Sequence, residues 1–298
     1  MSGFSRRELL AAAAIAPVAF RRVAPPPPRI SLAEWSFHRA IRGGELEHLA
    51  FAERAKKGFG LEGVEYVNQF FAEKATDFAY LGEMRKRAEG AGVASLLIMI
   101  DGEGPLGAAE EPRRLEAIEN HFQWIAAAAF LGCHAIRVNA EGSGSPEEQA
   151  SQMADSLHRL AGIADGYGLD VIVENHGGLS SDGAWLAGVI KKADHPRAGT
   201  LPDLGNFQIG EGQVYDRYKG VAELIPFAKA VSAKSYDFDA QGNETTIDYF
   251  RMAKIAVDAK YAGWVGVEYE GERLPEPEGV KKTIELVKRS FAKALEKS

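Results

Sequence analysis

VIVENHGG, residues 171–178, is a run of apolar β-branched side chains that ends in a carboxylate, an amide, an imidazole and two glycines. Three further stretches repeat the form: TLPDLGNF (200–207), AVSAKSYDF (230–238) and VGVEYEG (265–271). Their polar residues Glu174, Asp203, Ser232 and Glu268 follow one another at 29, 29 and 36 residues. One strand plus one returning helix consumes about that much chain in a (β/α)8 barrel of roughly 250 residues. Each apolar run reads as a strand buried on both faces, so its polar residue is expected where the strand opens into a loop. Barrels of this architecture keep their chemistry at that end.

The same rhythm runs backwards through Asn139 in AIRVN, Met99 in SLLIMID, Tyr66 in GVEYV and Trp35 in ISLAEWS, at steps of 35, 40, 33 and 31 residues. Eight strands are therefore expected, with helical segments between them. Leu115, Ile118, Phe122, Ile125 and Ala129 fall on one helical face, as do Met153, Leu157, Leu160, Ala164 and Tyr167. Val280, Ile284, Val287, Phe291 and Leu295 predict a last helix laid against the outside of the sheet. The expected architecture is a single-domain α/β protein, a (β/α)8 TIM barrel over residues 29–298, and its apolar content of 46% can fill such a core.

Residues 1–28 are of another kind. Ser5-Arg6-Arg7-Glu8-Leu9-Leu10 precedes an apolar stretch from Ala11 to Phe20, then Arg21-Arg22 and a proline run ending at Pro28. This resembles a twin-arginine export signal with a proline-rich linker, and it is too short and alanine-rich for a membrane span. Export and a periplasmic location are the expectation. Without these residues the chain keeps 31 basic against 41 acidic side chains, a net charge of −10, which argues against a nucleic-acid partner. The single cysteine, Cys133, reads as a small core residue.

Glu174-Asn175-His176-Gly177-Gly178, Pro202-Asp203-Leu204-Gly205-Asn206-Phe207, Ser232-Ala233-Lys234 with Asp237, and Glu268-Tyr269-Glu270-Gly271 carry a family resemblance. The chain resembles the sugar phosphate isomerase/epimerase, or xylose isomerase-like, barrels over everything after the leader. The resemblance implies one divalent ion, often manganese, bound by Glu, Asp, His and Glu from strands 5 to 8. Glu174, Asp203 and Glu268 match that set. Ser232 stands where the pattern puts its histidine, two residues before a lysine. An all-oxygen set favours Mn2+ or Mg2+ over Zn2+, and loss of metal binding is the competing outcome. By the same resemblance, Glu174 and Glu268 are the catalytic pair, one removing a proton next to a carbonyl and the other returning it to the opposite face.

Other positions are candidate substrate contacts. His176 shares the loop of Glu174. Asn206 reads either as a partner for a sugar hydroxyl or as a turn residue beside Gly205. Lys234 shares a strand face with Ser232 and reads as an enolate stabiliser, a base or a salt-bridge partner. Glu34, Arg137 and Asn139 interrupt apolar strands and either line the pocket or pair with buried groups. Phe70 and Phe71 follow the second strand and either stack on a sugar or pack between loops. His38, His48, His121, His134, His158 and His195 lack ligand spacing and read as structural.

The acidic balance, the absence of a glycine-rich phosphate loop and the export signal point to a non-phosphorylated sugar or glycoside. The expected activity is a metal-dependent carbohydrate isomerase or epimerase. A lyase acting on a keto-glycoside and a catalytically silent sugar-binding barrel are the alternatives, and a homo-oligomer is left open. A metal-dependent phosphodiesterase would need more histidines and a basic surface than this chain supplies.

Overall fold

The computed structural model describes residues 27–296, so the leader-like stretch up to residue 26 lies outside the described residues. In chain order the strands are β1 (Arg29–Ala33), β2 (Gly63–Val67), β3 (Ala94–Met99), β4 (Ala135–Val138), β5 (Asp170–Glu174), β6 (Ala198–Leu201), β7 (Gln208–Gly210), β8 (Gln213–Val214), β9 (Val231–Ser235) and β10 (Trp264–Tyr269). The helices are α1 (His38–Arg42), α2 (Phe51–Phe59), α3 (Phe78–Ala91), α4 (Glu111–Asn120), α5 (Phe122–Leu131), α6 (Pro146–Asp165), α7 (Gly183–Ala193), α8 (Arg217–Leu224), α9 (Tyr249–Asp258) and α10 (Glu276–Leu295).

β7 and β8 form a small antiparallel hairpin; the other eight strands make one parallel sheet in the order β6-β5-β4-β3-β2-β1-β10-β9. Its two ends meet. Parallel bridges join Thr200 to Ala228 and Asp203 to Ser232, with Leu204 N donating to Ser232 O at 3.0 Å and Ser232 N to Pro202 O at 2.9 Å. The sheet thus closes into a (β/α)8 barrel made of the eight runs expected from the sequence.

Strand parity sorts the side chains into two cores. Leu32, Val64, Tyr66, Ile98, Ile136, Val171, Val173, Val231, Ala233, Val265 and Val267 face outward and join the helices in the large core. The inner core is small: Ala33, Val67, Leu97, Met99, Ala135, Ile172, Leu201 and Ala230. Stepping two residues along the chain from this floor reaches Glu65, Arg137, Glu174 and Ser232, and two more reach Lys234, all buried. The barrel interior is therefore filled by a small apolar layer together with polar ones.

α10 buries Val280, Ile284, Val287 and Phe291 against α9 and the outside of β10, as its period predicts. α6 starts at a capping box in which Ser145 Oγ accepts from Glu148 N and the Glu148 carboxylate accepts from Ser145 N. Two expectations need correction. The face from Leu115 to Ala129 belongs to two helices, because the chain breaks at His121, whose ring Nδ1 lies 2.6 Å from the Ala117 carbonyl oxygen; Leu115 and Phe122 are exposed. Tyr167 lies beyond the end of α6 and is exposed as well. Cys133 is buried in the outer core, and burial pushes its thiol well above the usual range. Among the described residues no helix is long and apolar enough to cross a membrane.

Candidate active site

Glu174 is the last residue of β5, and its inward parity continues that of Ile172. Asp203 follows β6 by two residues, while Glu268 is the penultimate residue of β10. Each carboxylate offers one oxygen within 4.8 Å of the others. Ser232 differs from the expectation: it is the second residue of β9, deeper than a strand end, so Lys234 rises to the level of the carboxylates. The Ser232 hydroxyl bridges two of them, with Oγ 2.7 Å from Asp203 Oδ2 and 3.0 Å from Glu268 Oε2.

Every arm of the triad is tied from behind. Glu174 Oε2 lies 2.9 Å from Arg137 Nε, and Asn206 Nδ2 donates to its Oε1 at 3.3 Å. Arg137 in turn reaches Asp101 Oδ1 at 2.7 Å, and Asn139 Nδ2 donates to the same oxygen at 2.7 Å. Asp203 Oδ1 accepts the backbone amides of Gly205 and Asn206 at 2.8 and 2.7 Å, which bends the loop after β6 around the carboxylate. Asn175 staples the two loops together, accepting from Asp203 N and donating to Asp203 O and Asn206 O. Lys234 Nζ stands 3.1 Å from Glu268 Oε1, 3.3 Å from Glu270 Oε2 and 3.9 Å from Asp203 Oδ2.

These surroundings leave negative charge uncompensated. Burial, partly offset by Arg137, pushes Glu174 up to about 7, and Glu268 adds to the rise. Burial likewise pushes Asp203 up to about 7 against the pull of Lys234. Glu268 goes the other way: burial alone would raise it, but the charge and hydrogen bond of Lys234 and the Ser232 hydroxyl hold it below the usual range. Lys234 is buried, yet Glu268, Asp203 and Glu270 keep it firmly protonated. Among the described residues, Asp101, Glu174, Asp203, Glu268 and Glu270 form ion pairs with two cations, Arg137 and Lys234. A buried surplus of carboxylates is what a divalent cation would relieve, and the 4.8 Å spread of oxygens matches the width of an oxygen shell, about 4 to 5 Å. The triad Glu174, Asp203 and Glu268 could therefore hold one.

The remaining candidates divide. His176 is exposed beside the triad, and burial of its surroundings together with Arg137 and Lys234 holds its imidazole below the usual pKa. Glu34 is turned away from the carboxylates: its Oε2 accepts from Val67 N at 2.9 Å and its Oε1 lies 3.3 Å from His48 Nε2. Phe70 packs with Trp35 over the inner core at the mouth, ring centroids 5.9 Å apart, whereas Phe71 is buried edge-on against Trp124. None of the six histidines set aside as structural joins the triad.

Asp101, Asn175 and Glu270 join the site without being among the residues expected there from the sequence. Asp101 was detectable, since SLLIMID ends in a carboxylate and the strand-end rule names it ahead of Met99.

The family model of xylose isomerase-like TIM barrels matches residues 53–290. No curated protein is similar enough in sequence to match. Among solved structures, an L-ribulose 3-epimerase superposes with a TM-score of 0.70 at 14% identity, covering 91% of this chain and 96% of its own. A 3-keto-D-glucoside 4-epimerase from E. coli gives 0.68 at 16% identity, over 88% of this chain and 99% of its own. A probable 3-DHS dehydratase from Bacillus anthracis gives 0.64 at 14% identity, over 87% and 98%. Identities this low establish the shared fold alone. The matched span is most of the chain and includes every residue of the acidic triad, so the chain belongs to the xylose isomerase-like TIM barrel family.

Proposed function

We propose that the chain is a divalent-metal-dependent carbohydrate isomerase or epimerase that moves a proton next to a carbonyl. The observation that carries this reading is the convergence of Glu174 and Glu268, entering from β5 and β10 on either side of Asp203 and Ser232. Mn2+ or Mg2+ suits the oxygen-only set better than Zn2+, and when bound it supplies Lewis acidity toward a carbonyl and its neighbouring hydroxyl.

The chain's own residues do the rest. Glu174 and Glu268 exchange the carbon-bound proton, one removing and the other returning it, and each is held in place by its own cation, Arg137 or Lys234. Lys234 is a fixed positive charge and not a base, because three carboxylates keep its ammonium protonated. His176 and Asn206 offer hydrogen bonds to sugar hydroxyls. Trp35 and Phe70 offer an apolar surface to the face of a ring.

The acidic surroundings and the leader-like first 28 residues favour a neutral sugar met outside the cytoplasm. Elimination is the second reading. The fold is shared with a probable 3-DHS dehydratase, and the same proton abstraction from a keto-glycoside ends in loss of a substituent.

The test begins with metal content. Protein purified without chelator should carry near-stoichiometric manganese or magnesium by elemental mass spectrometry, with the ion lost in Asp203→Asn. Ketoses and keto-glycosides are then incubated with the protein in deuterated water. Deuterium at one carbon supports epimerisation, and an unsaturated product supports elimination. No ion after manganese addition and no solvent deuterium in any sugar would sink both.

A further inference from the structure

Below the triad lies an acid for which the proposed reaction has no use. Glu65, the middle residue of β2, shares the inward parity of Val67 and is fully buried. Its Oε1 accepts from Ser31 Oγ at 2.6 Å. Its Oε2 is buried without a hydrogen-bond partner, and no ion pair among the described residues includes it.

The position of this carboxyl is explained by what β10 lacks. A Cβ built on Gly266 would lie 2.4 Å from Glu65 Oε2 and 2.5 Å from Oε1, so the carboxyl lies flat on bare backbone. β2, β1 and β10 are successive neighbours in the sheet, and Ser31 of β1 is the donor along the way. Gly266 precedes Glu268 by two residues on the same strand face, one step below the triad.

The charged groups acting on Glu65 are the carboxylates of Glu268 from β10 and Glu174 from β5, both of the same sign. Tyr261, ahead of β10, also faces it, and Glu65 raises that phenol further. An ionised Glu65 would have one hydroxyl as its whole solvation, so burial favours the neutral acid. Burial pushes Glu65 up to about 8, the Ser31 hydrogen bond pulls back, and Glu268 and Glu174 add to the rise.

We infer that Glu65 is a positioning residue: a neutral carboxylic acid pressed between β2 and Gly266 that holds the backbone of β10 at the height where Glu268 enters the triad. Its neutrality keeps a further negative charge out of the space beneath Glu174 and Glu268. Its bulk replaces the side chain that Gly266 omits. The part concerning Glu268 rests on the proposed site; the protonation does not.

Infrared difference spectroscopy between the native chain and Glu65→Gln tests the protonation. A protonated-carboxyl stretch is expected at neutral pH, absent from the variant and fading as pH rises through about 8. Because the folded pKa is raised from 4.5 to about 8, its stabilising contribution is full below the lower value and is lost as pH rises through the upper one. The unfolding midpoint should therefore fall across that window in the native chain more than in Glu65→Gln. A native spectrum with no Glu65-dependent band at neutral pH overturns the inference.

Positioning is tested by rescue. Gly266→Ala should weaken Mn2+ binding about tenfold, and Glu65→Ala combined with Gly266→Ala should return it to within about threefold, as expected when neighbouring side chains are coupled. A double variant no better than the single one overturns the positioning role. If the native chain binds no Mn2+, the metal reading fails by itself, and the same rescue is read from unfolding midpoints of the three proteins.

Discussion

The two halves of the barrel use their inward-facing positions differently. β5, β6, β9 and β10 send Glu174, Asp203, Ser232, Lys234 and Glu268 to one point, where carboxylates outnumber cations. β1 to β4 supply most of the apolar floor, from Ala33 to Ala135, and their polar residues are turned to backing roles. Arg137 holds Glu174 and Asp101, Glu34 holds the Val67 amide, and Glu65 lies under Gly266. One half carries the proposed reactive groups and the other braces them, so substitutions in the two halves should fail in different ways.

The sharpest break is in the first group. Glu174→Gln and Glu268→Gln should each lower kcat by about a thousandfold, the scale of a lost acid or base, with circular dichroism and unfolding midpoint near native. Near-native turnover by either variant on a true substrate would remove that carboxylate from the chemistry. Arg137→Ala should break the comparison from the other side. It leaves the buried Glu174 and the part-buried Asp101 without their shared cation, and denaturant unfolding should register a loss of about 3–5 kcal/mol. A loss well under 1 kcal/mol would mean that the pair is not held as described. The smallest effect belongs to the mouth: Trp35→Ala should raise KM by roughly threefold to tenfold and leave kcat almost unchanged, in line with about 0.5–1.5 kcal/mol for an aromatic contact. A fall in kcat with KM constant would make Trp35 part of the chemical step.

Much of this division could be read from the chain itself. Period and spacing locate all eight barrel strands, because each is a short apolar run at a near-regular interval, and three of the four polar residues that mark the later runs form the triad. The local depth of Ser232 was not legible: a strand's start depends on its partner, and β9 begins at Val231 through its register with β10. The break at His121 was hidden because both helices keep the same apolar spacing while a ring nitrogen meets the Ala117 carbonyl. Glu65 was passed over for its neighbour Tyr66, which faces outward into the helix layer. A lone carboxylate inside the five-residue run GVEYV was the available signal. The fate of Glu34 depends on His48, which is remote from the strand pattern and reaches it only through tertiary packing.

The closure between β6 and β9 has a mechanical consequence. Seven of the barrel's neighbouring strand pairs form ladders, one of them with a register shift between Val64 and Glu65, but this pair is held by isolated bridges, and one of them joins Asp203 to Ser232. The barrel is a hoop whose buckle is the candidate active site, so fastening the hoop and bringing the acidic triad together go hand in hand. Whatever binds there in the closed form alone tightens the buckle, by RT ln(1 + [L]/Kd).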